Sequence, residues 1–93
     1  MRSGHLAYFT LELRRPADGW ATLAALTANA RRASAELQRE GVQVRFLRSV
    51  FVPEDEACFY LYQAATEAAV REAARRAAVE FSGIARQAAA KPR

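Results

Sequence analysis

The sequence predicts an α+β domain with the ferredoxin-like order strand, helix, strand, strand, helix, strand. The first observation is a β-hairpin signal: two runs of β-branched and aromatic residues, 42–52 and 57–64, flank the short polar turn 53–56. The second is that residues 20–40 and 67–78 carry apolar residues at three- and four-residue steps, as amphipathic helices do. The third is that both faces of the run 57–64 are apolar, so both sides of that strand must be covered. In this fold a four-stranded antiparallel sheet carries both helices on one face.

Residues 5–13 are expected to form the first strand, in which side chains alternate between the two faces of the sheet. The side expected to meet the helices holds Phe9, Leu11 and Leu13, and the opposite side holds Leu6, Tyr8, Thr10 and Glu12. A turn follows at residues 14–19, where Pro16 lacks a backbone donor and Asp18 is placed to cap the next helix.

The first helix is predicted from Trp20 to about Glu40, and Gly41 is placed to end it in a left-handed conformation. Its inward positions are Trp20, Leu23, Leu26 or Thr27, Ala30, Ala33 and Leu37. Thr66 is placed to cap a second helix that runs to about Ala78. Its outer face carries two ion pairs at four-residue spacing, Glu67–Arg71 and Glu72–Arg76.

Residues 81–90 are the most ambiguous stretch. Alanine favours a helix, whereas Ser82-Gly83 interrupts the preceding one and Ile84, Arg86 and Ala88 alternate as in a strand. Both alternatives stay open from the residues alone. A strand here completes the four-stranded sheet.

The third strand, 57–64, places its aromatic residues on both faces. We expect Phe59 and Leu61 to meet the helices, and Cys58, Tyr60 and Tyr62 to lie on the opposite face of the sheet with Tyr8 and Leu6. A sheet face with three tyrosines is a large amphipathic patch, which is typical of an interaction surface. The economical arrangement is a homodimer in which two such faces close a dimeric α+β barrel around a cavity.

Arg48 interrupts the second strand. Strict alternation groups it with Val44, Phe46 and Val50 and directs it into the helix-covered core, where a charge without a partner is costly. A β-bulge near Phe46–Leu47 would switch the faces and bring Arg48 to the cavity side or to the edge. There it would bind an anionic or carbonyl group of a ligand, or form an interface ion pair with Glu12.

The ligand-binding residues expected in the barrel are therefore Tyr8, Arg48, Tyr60 and Tyr62. Their hydroxyl and guanidinium groups suit a small organic or anionic ligand. The alternative for the tyrosines is that they form the core of the dimer interface.

The composition is that of a single domain. The 93 residues are 52% hydrophobic, and we expect one domain over residues 1–93 with its core at about residues 5–88. No run approaches the roughly 18 apolar residues of a membrane span, and no signal peptide is expected before the first strand. One cysteine fits a reducing cytoplasm, the expected location. The net charge of +4 permits an acidic partner without indicating one.

The hairpin and the second helix resemble a known family. The run Gly41-Val42-x-Val44-Arg45-Phe46-x-x-Ser49-Val50, the acidic turn, Cys58-Phe59-Tyr60-x-Tyr62-x-Ala64 and then Glu67-x-x-Val70-Arg71-x-Ala73 are similar to a family of small bacterial proteins, mostly of unknown function, that includes a nickel-binding member. The resemblance covers about residues 8–84. It implies a ferredoxin-like fold, usually dimeric, with the final stretch as a fourth strand.

The metal chemistry of that family is not matched in this chain. Members that bind metal are rich in histidine around the second helix, where this chain has Arg75-Arg76-Ala77-Ala78. His5 is the only histidine, so we expect neither a metal site nor a cofactor. Cys58 is expected to be a plain buried thiol, and Glu54-Asp55-Glu56 a solvated turn rather than a calcium loop.

The sequence is compatible with three functional classes. With no catalytic motif in the chain, we expect a non-enzymatic protein that binds a small molecule or serves as an accessory subunit. The alternative is a cofactor-free monooxygenase, isomerase or cyclase of the dimeric barrel type, using the same ligand-binding residues with a tyrosine or His5 as acid or base. The third is an RNA-binding module that stacks bases on Tyr8, Tyr60 and Tyr62, and the acidic turn argues against it.

Overall fold

The computed structural model describes residues 6–88 of the chain. Its elements are β1 (Ala7–Leu13), α1 (Leu23–Arg39), β2 (Val44–Val52), β3 (Ala57–Ala64), α2 (Glu67–Arg76) and β4 (Phe81–Ala88). The strands form one sheet in the order β2-β3-β1-β4, and all neighbours are antiparallel. The ferredoxin-like α+β fold class is therefore confirmed, and the ambiguous last stretch is a strand. Within residues 6–88, no helix is long and apolar enough to cross a membrane.

The first helix begins three residues later than the sequence predicts. Gly19 adopts a positive φ of 79°, and its N–H donates to the Pro16 carbonyl, so the chain is still turning at this point. The Trp20 indole N–H donates to the Glu56 carbonyl at 3.1 Å, which ties this turn to the end of the β2–β3 hairpin. Trp20 is thus an anchor of the turn rather than the first inward residue of α1.

The predicted end of α1 and the predicted start of α2 are confirmed, whereas α2 ends at Arg76, two residues before the predicted Ala78, and Asp18 does not cap α1. Gly41 has a φ of 92° just after α1, and the Val42 N–H then donates to the Leu37 carbonyl. The Thr66 hydroxyl accepts a hydrogen bond from the Ala69 N–H at 3.1 Å and so caps α2.

Two helices with small inward side chains cover one face of the sheet. The buried helix positions are mostly alanine, namely Ala30, Ala33, Ala69, Ala73 and Ala74, with Ser34, Leu37 and Val70. Small side chains on the helices leave the volume of the core to be filled from the sheet. The three largest fully buried side chains of the described residues accordingly come from strands β1 and β3, and they are Tyr60, Tyr62 and Phe9.

Ion pairs join the outer faces of the two helices. Arg76 of α2 binds the Glu40 carboxylate at 2.8 and 2.9 Å and also pairs with Glu72 at 2.9 Å. The hydrogen bonds from Arg75 and Arg76 lower the pKa of Glu72 to about 2. Of the predicted pairs, Glu67–Arg71 closes at 2.7 Å, and Glu72–Arg76 forms as expected.

Candidate functional site

The β-bulge in β2 is confirmed and decides where Arg48 lies. The register of β2 against β3 shifts between Phe46 and Arg48, so Leu47 is the extra residue. Phe46 is buried beneath the helices, whereas Arg48 is exposed and lies opposite Leu61. The bulge therefore keeps the guanidinium out of the core, as the desolvation cost of an unpaired charge requires.

We call the sheet surface away from the helices the open face. Its residues follow from the strand register, because directly opposed residues in an antiparallel pair share a face. Three rows cross the sheet from β2 through β3 and β1 to β4. They are Arg45-Gln63-Tyr8-Gln87, then Arg48-Leu61-Thr10-Ala85, then Val50-Phe59-Glu12-Gly83.

The open face has an apolar centre and a polar rim. Val50, Phe59 and Leu61 are half-buried although nothing in the described chain covers this surface. Tyr8 is 39% exposed and Leu6, just before β1, is 37% exposed. Arg45 and Arg48 stand on the β2 edge with no hydrogen bond or ion pair to any of the described residues. Such a patch is typical of a surface that meets a partner or a ligand.

Of the four predicted ligand-binding residues, Tyr8 and Arg48 lie together on the open face. They stand on β1 and β2 in adjacent rows, with β3 between them. Because neighbouring strands are about 4.8 Å apart, the two backbones are separated by about 10 Å. This spacing allows the phenol and the guanidinium to contact one small ligand from two sides.

Tyr60 and Tyr62 lie on the other face, so the sequence-based expectation for β3 is wrong. Tyr60 is opposite Leu11 and Tyr62 is opposite Phe9, and both tyrosines are fully buried under the helices. It is Phe59 and Leu61 that face away from the helices. The error arose because both sides of β3 are apolar, so alternation alone does not say which side is covered.

The tyrosine hydroxyls have different environments. The Tyr60 hydroxyl is 2.8 Å from the Thr27 hydroxyl of α1, and burial raises its pKa against the opposing effect of this hydrogen bond. The Tyr62 hydroxyl is buried, and no described residue hydrogen-bonds to it. Burial raises the pKa of Tyr62 more strongly. Both rings also pack nearly perpendicular to the Phe46 ring, with their centroids 5.0 and 5.4 Å from its centroid.

Replacing each tyrosine by phenylalanine is expected to affect stability in opposite ways. Tyr60→Phe should lower the free energy of unfolding by about 1 kcal/mol, because the half-buried Thr27 hydroxyl loses its partner. Tyr62→Phe should leave it unchanged or raise it by up to about 2 kcal/mol, because a buried hydroxyl without a partner is removed. Urea unfolding followed by circular dichroism at one protein concentration measures both changes.

Alkaline pH provides a control for these variants. Both tyrosines have a raised folded-state pKa, so above the ordinary value of 10.0 the unfolded chain releases protons first and stability falls. Each variant removes one such group and should lose less stability than the wild type from about pH 9 to 11. Equal stability changes for the two variants at neutral pH would contradict the hydrogen-bond assignment.

Cys58 is buried, as expected for a plain thiol, but it lies on the helix side of β3 with Tyr60 and Tyr62, so its predicted place on the opposite face is wrong. Burial raises the pKa of its thiol, which disfavours the reactive thiolate. Glu54 and Asp55 are exposed in the hairpin turn, and Glu56 pairs with Arg15 at 2.8 Å. No group of three or more histidine, cysteine, aspartate or glutamate side chains within residues 6–88 is arranged to hold a metal ion. His5 lies outside the described residues.

The burial of two tyrosines also removes the arrangement that the RNA-binding alternative required. That hypothesis required Tyr8, Tyr60 and Tyr62 to stack bases on one surface. Only Tyr8 remains accessible on the open face. The aromatic Phe59, predicted from the sequence to lie in the core, instead lies on that face beside Glu12.

One signal in the sequence could have identified the correct face of β3. The inward positions of both helices are mostly alanine, so the bulkier alternating set of β3 is needed to fill the core. That set is Tyr60 and Tyr62. Leu61 and Phe59 then belong to the open face.

Comparison with known proteins identifies one match. A family model described as "Nickel responsive protein SCO4226-like" matches residues 12–86, which is most of the chain and includes both helices, β2, β3, most of β4 and the end of β1. No curated protein and no solved structure matches.

Proposed function

The chain belongs to the SCO4226-like family of nickel responsive proteins, and we propose that it acts as a homodimeric, non-enzymatic protein that binds a small molecule or serves as an accessory subunit. The dimer forms when the open faces of two copies pack together into an α+β barrel. A ligand space remains between the two sheets. The observation that carries this proposal is an uncovered sheet face with the apolar centre Val50, Phe59 and Leu61.

Self-complementary charge supports the pairing of two copies. In a two-fold interface the same patch meets itself, so each charged group faces a group from the same face of the partner. The open face carries Arg45 and Arg48 on its β2 edge and Glu12 near its middle. Glu12 of one copy is therefore available to pair with Arg48 of the other, and both guanidiniums are without a partner in the described chain.

In the proposed barrel, Arg48 binds an anionic or carbonyl group of the ligand, and the Tyr8 hydroxyl provides a second polar contact. The apolar residues around them bury the rest of the ligand. The described part of the open face places no histidine or cysteine beside Arg48. These features favour binding over catalysis.

The described residues do not fit a nickel ion, although the family name refers to nickel. Nickel prefers imidazole, thiolate or several clustered carboxylate ligands. Cys58 is buried in the core with a raised pKa, and residues 6–88 provide no cluster of metal ligands. The proposal therefore assigns no step to a metal.

The experiment is sedimentation equilibrium over micromolar concentrations. We expect a species of twice the chain mass of 10.3 kDa, and a monomer throughout that range would contradict the proposed dimer. Native mass spectrometry of freshly purified protein tests for a retained ligand. We expect Arg48→Ala to lose it, whereas the control Arg39→Ala, which removes an exposed charge from α1, should keep it. Equal retention by the two variants would contradict the role of Arg48.

A further inference from the structure

A cavity lies on the edge of the molecule, between α1 and the outer side of β2. Its volume is about 220 Å³, and its walls are formed by Arg31, Ser34, Ala35 and Gln38 of α1 with Arg45 and Phe46 of β2. These α1 residues are spaced at three- and four-residue steps and so form one stripe of the helix. The cavity borders the open face only through Arg45, and its existence does not depend on the proposed dimer.

Ser34 in the wall of this cavity has an unsatisfied hydroxyl. The residue is 3% exposed, and its Oγ has no hydrogen-bond partner in the described structure. A buried hydroxyl without a partner costs about 1–3 kcal/mol, so native proteins rarely leave one unused. The Ser34 hydroxyl is therefore available to donate to a bound group.

Arg31 is held in position without being neutralised. Its guanidinium carbon lies 4.9 Å from the centre of the Phe46 ring, a cation–π distance. Phe46 is fixed in turn by edge contacts with the rings of Tyr60 and Tyr62. No ion pair or hydrogen bond joins the Arg31 guanidinium to any residue from 6 to 88, so its donors remain free.

Gln38 contributes a further oriented donor. Its Nε2 donates to the Val44 carbonyl at 2.7 Å, which fixes the amide and leaves its second N–H unused in this bond. The Val44 carbonyl thus lies on the outer edge of β2. Because alternate residues of an edge strand direct their backbone groups to the same side, the Phe46 N–H lies on this edge as well.

The cavity combines these donors with a positive charge. Two arginines, a serine and a glutamine contribute to its walls, and none of the residues that line it is a carboxylate. Fixed guanidiniums and hydroxyls favour oxyanions, which accept several charge-assisted hydrogen bonds at once. We infer that this cavity binds the oxyanion group, phosphate or carboxylate, of a small ligand, with Arg31 and Ser34 as the central donors. Since one liquid water occupies about 30 Å³, the volume suits such a group and a few further atoms.

The test is an NMR titration of the wild-type chain with inorganic phosphate and, separately, with acetate, at constant ionic strength kept with sodium chloride. We expect saturable shifts at the backbone amides of Arg31, Ser34, Gln38 and Phe46 with a dissociation constant of millimolar order for at least one anion. The anion whose shifts saturate shows whether the cavity takes a phosphate or a carboxylate group. Shifts that stay linear for both anions, or that centre elsewhere, would overturn the inference.

Three variants examine the donors. Arg31→Gln and Ser34→Ala should each weaken binding by about tenfold, because each removes a hydrogen bond to a charged group. Arg32→Gln is the matched control, since this neighbouring arginine is exposed and bonds to Asn29. It should change the affinity by less than about twofold. Equal losses in Arg31→Gln and Arg32→Gln would show a general charge effect and reject the site. If Arg31→Gln disturbs the fold, the result for Ser34→Ala decides whether the site is correct, because this variant keeps the charge of the cavity and alanine favours a helix.

Discussion

Replacing Phe9 by alanine is expected to lower the free energy of unfolding by about 3–5 kcal/mol. Phe9 is 1% exposed in the central strand β1, where it faces the helices opposite Tyr62. The alanine-rich helices have little side-chain volume with which to refill the space, so a cavity remains. A domain of this size has a total stability of about 5–15 kcal/mol, so this one change removes a large share of it.

Phe51→Ala is the matched control for this prediction, because it deletes the same atoms at an exposed site. Phe51 is 42% exposed, and its ring meets Trp20 edge-on with centroids 6.2 Å apart. Its loss should cost about 1 kcal/mol, the value of an aromatic pair. Both variants are measured by urea unfolding at one chosen concentration, because dimer formation would make stability depend on concentration. Similar losses at the two sites would contradict the described core.

The contrast between β1 and β3 shows how far alternation predicts a sheet. In β1 one alternating set is wholly apolar and the other contains Glu12 and Thr10, so the covered face follows from the sequence. In β3 both sets are apolar, and the decision depends on register and on the volume that the helices supply. The tyrosine hydroxyls favoured the wrong answer, because burial of Tyr60 requires a partner, Thr27, that lies on another element.

The bulge in β2 was predictable for an energetic reason. Arg48 at a core position would have left a charge buried without a partner, and one extra residue removes that cost. The Trp20 turn was not predictable in the same way. The apolar ring of Trp20 matches the helical period. Its indole N–H, however, donates to the Glu56 carbonyl in the distant hairpin turn, and no local sequence pattern reveals that contact. The cavity beside α1 likewise brings together residues of two elements, and its unpartnered serine becomes visible only after folding.

The second large effect is expected at the centre of the open face, where Leu61→Asp should convert the proposed dimer to a folded monomer. Leu61 is half-buried and lies between Arg48 and Thr10. In a single subunit an aspartate at this position reaches solvent and has Arg48 beside it, so the fold should tolerate it. In the dimer two copies of the carboxylate would be desolvated together, at a cost of several kcal/mol for each ion.

The expected weakening of the dimer is at least about a thousandfold, since each 1.4 kcal/mol corresponds to a factor of ten. Sedimentation equilibrium measures the change, and circular dichroism verifies that the variant is folded. Ala28→Asp adds the same charge to the exposed side of α1, away from the open face, and should leave the dimer intact. A dimer that persists in Leu61→Asp would move the interface to another surface of the molecule. Loss of the fold in Leu61→Asp would instead contradict the placement of Leu61 outside the core, because only a carboxylate without access to water destabilises a subunit to that extent.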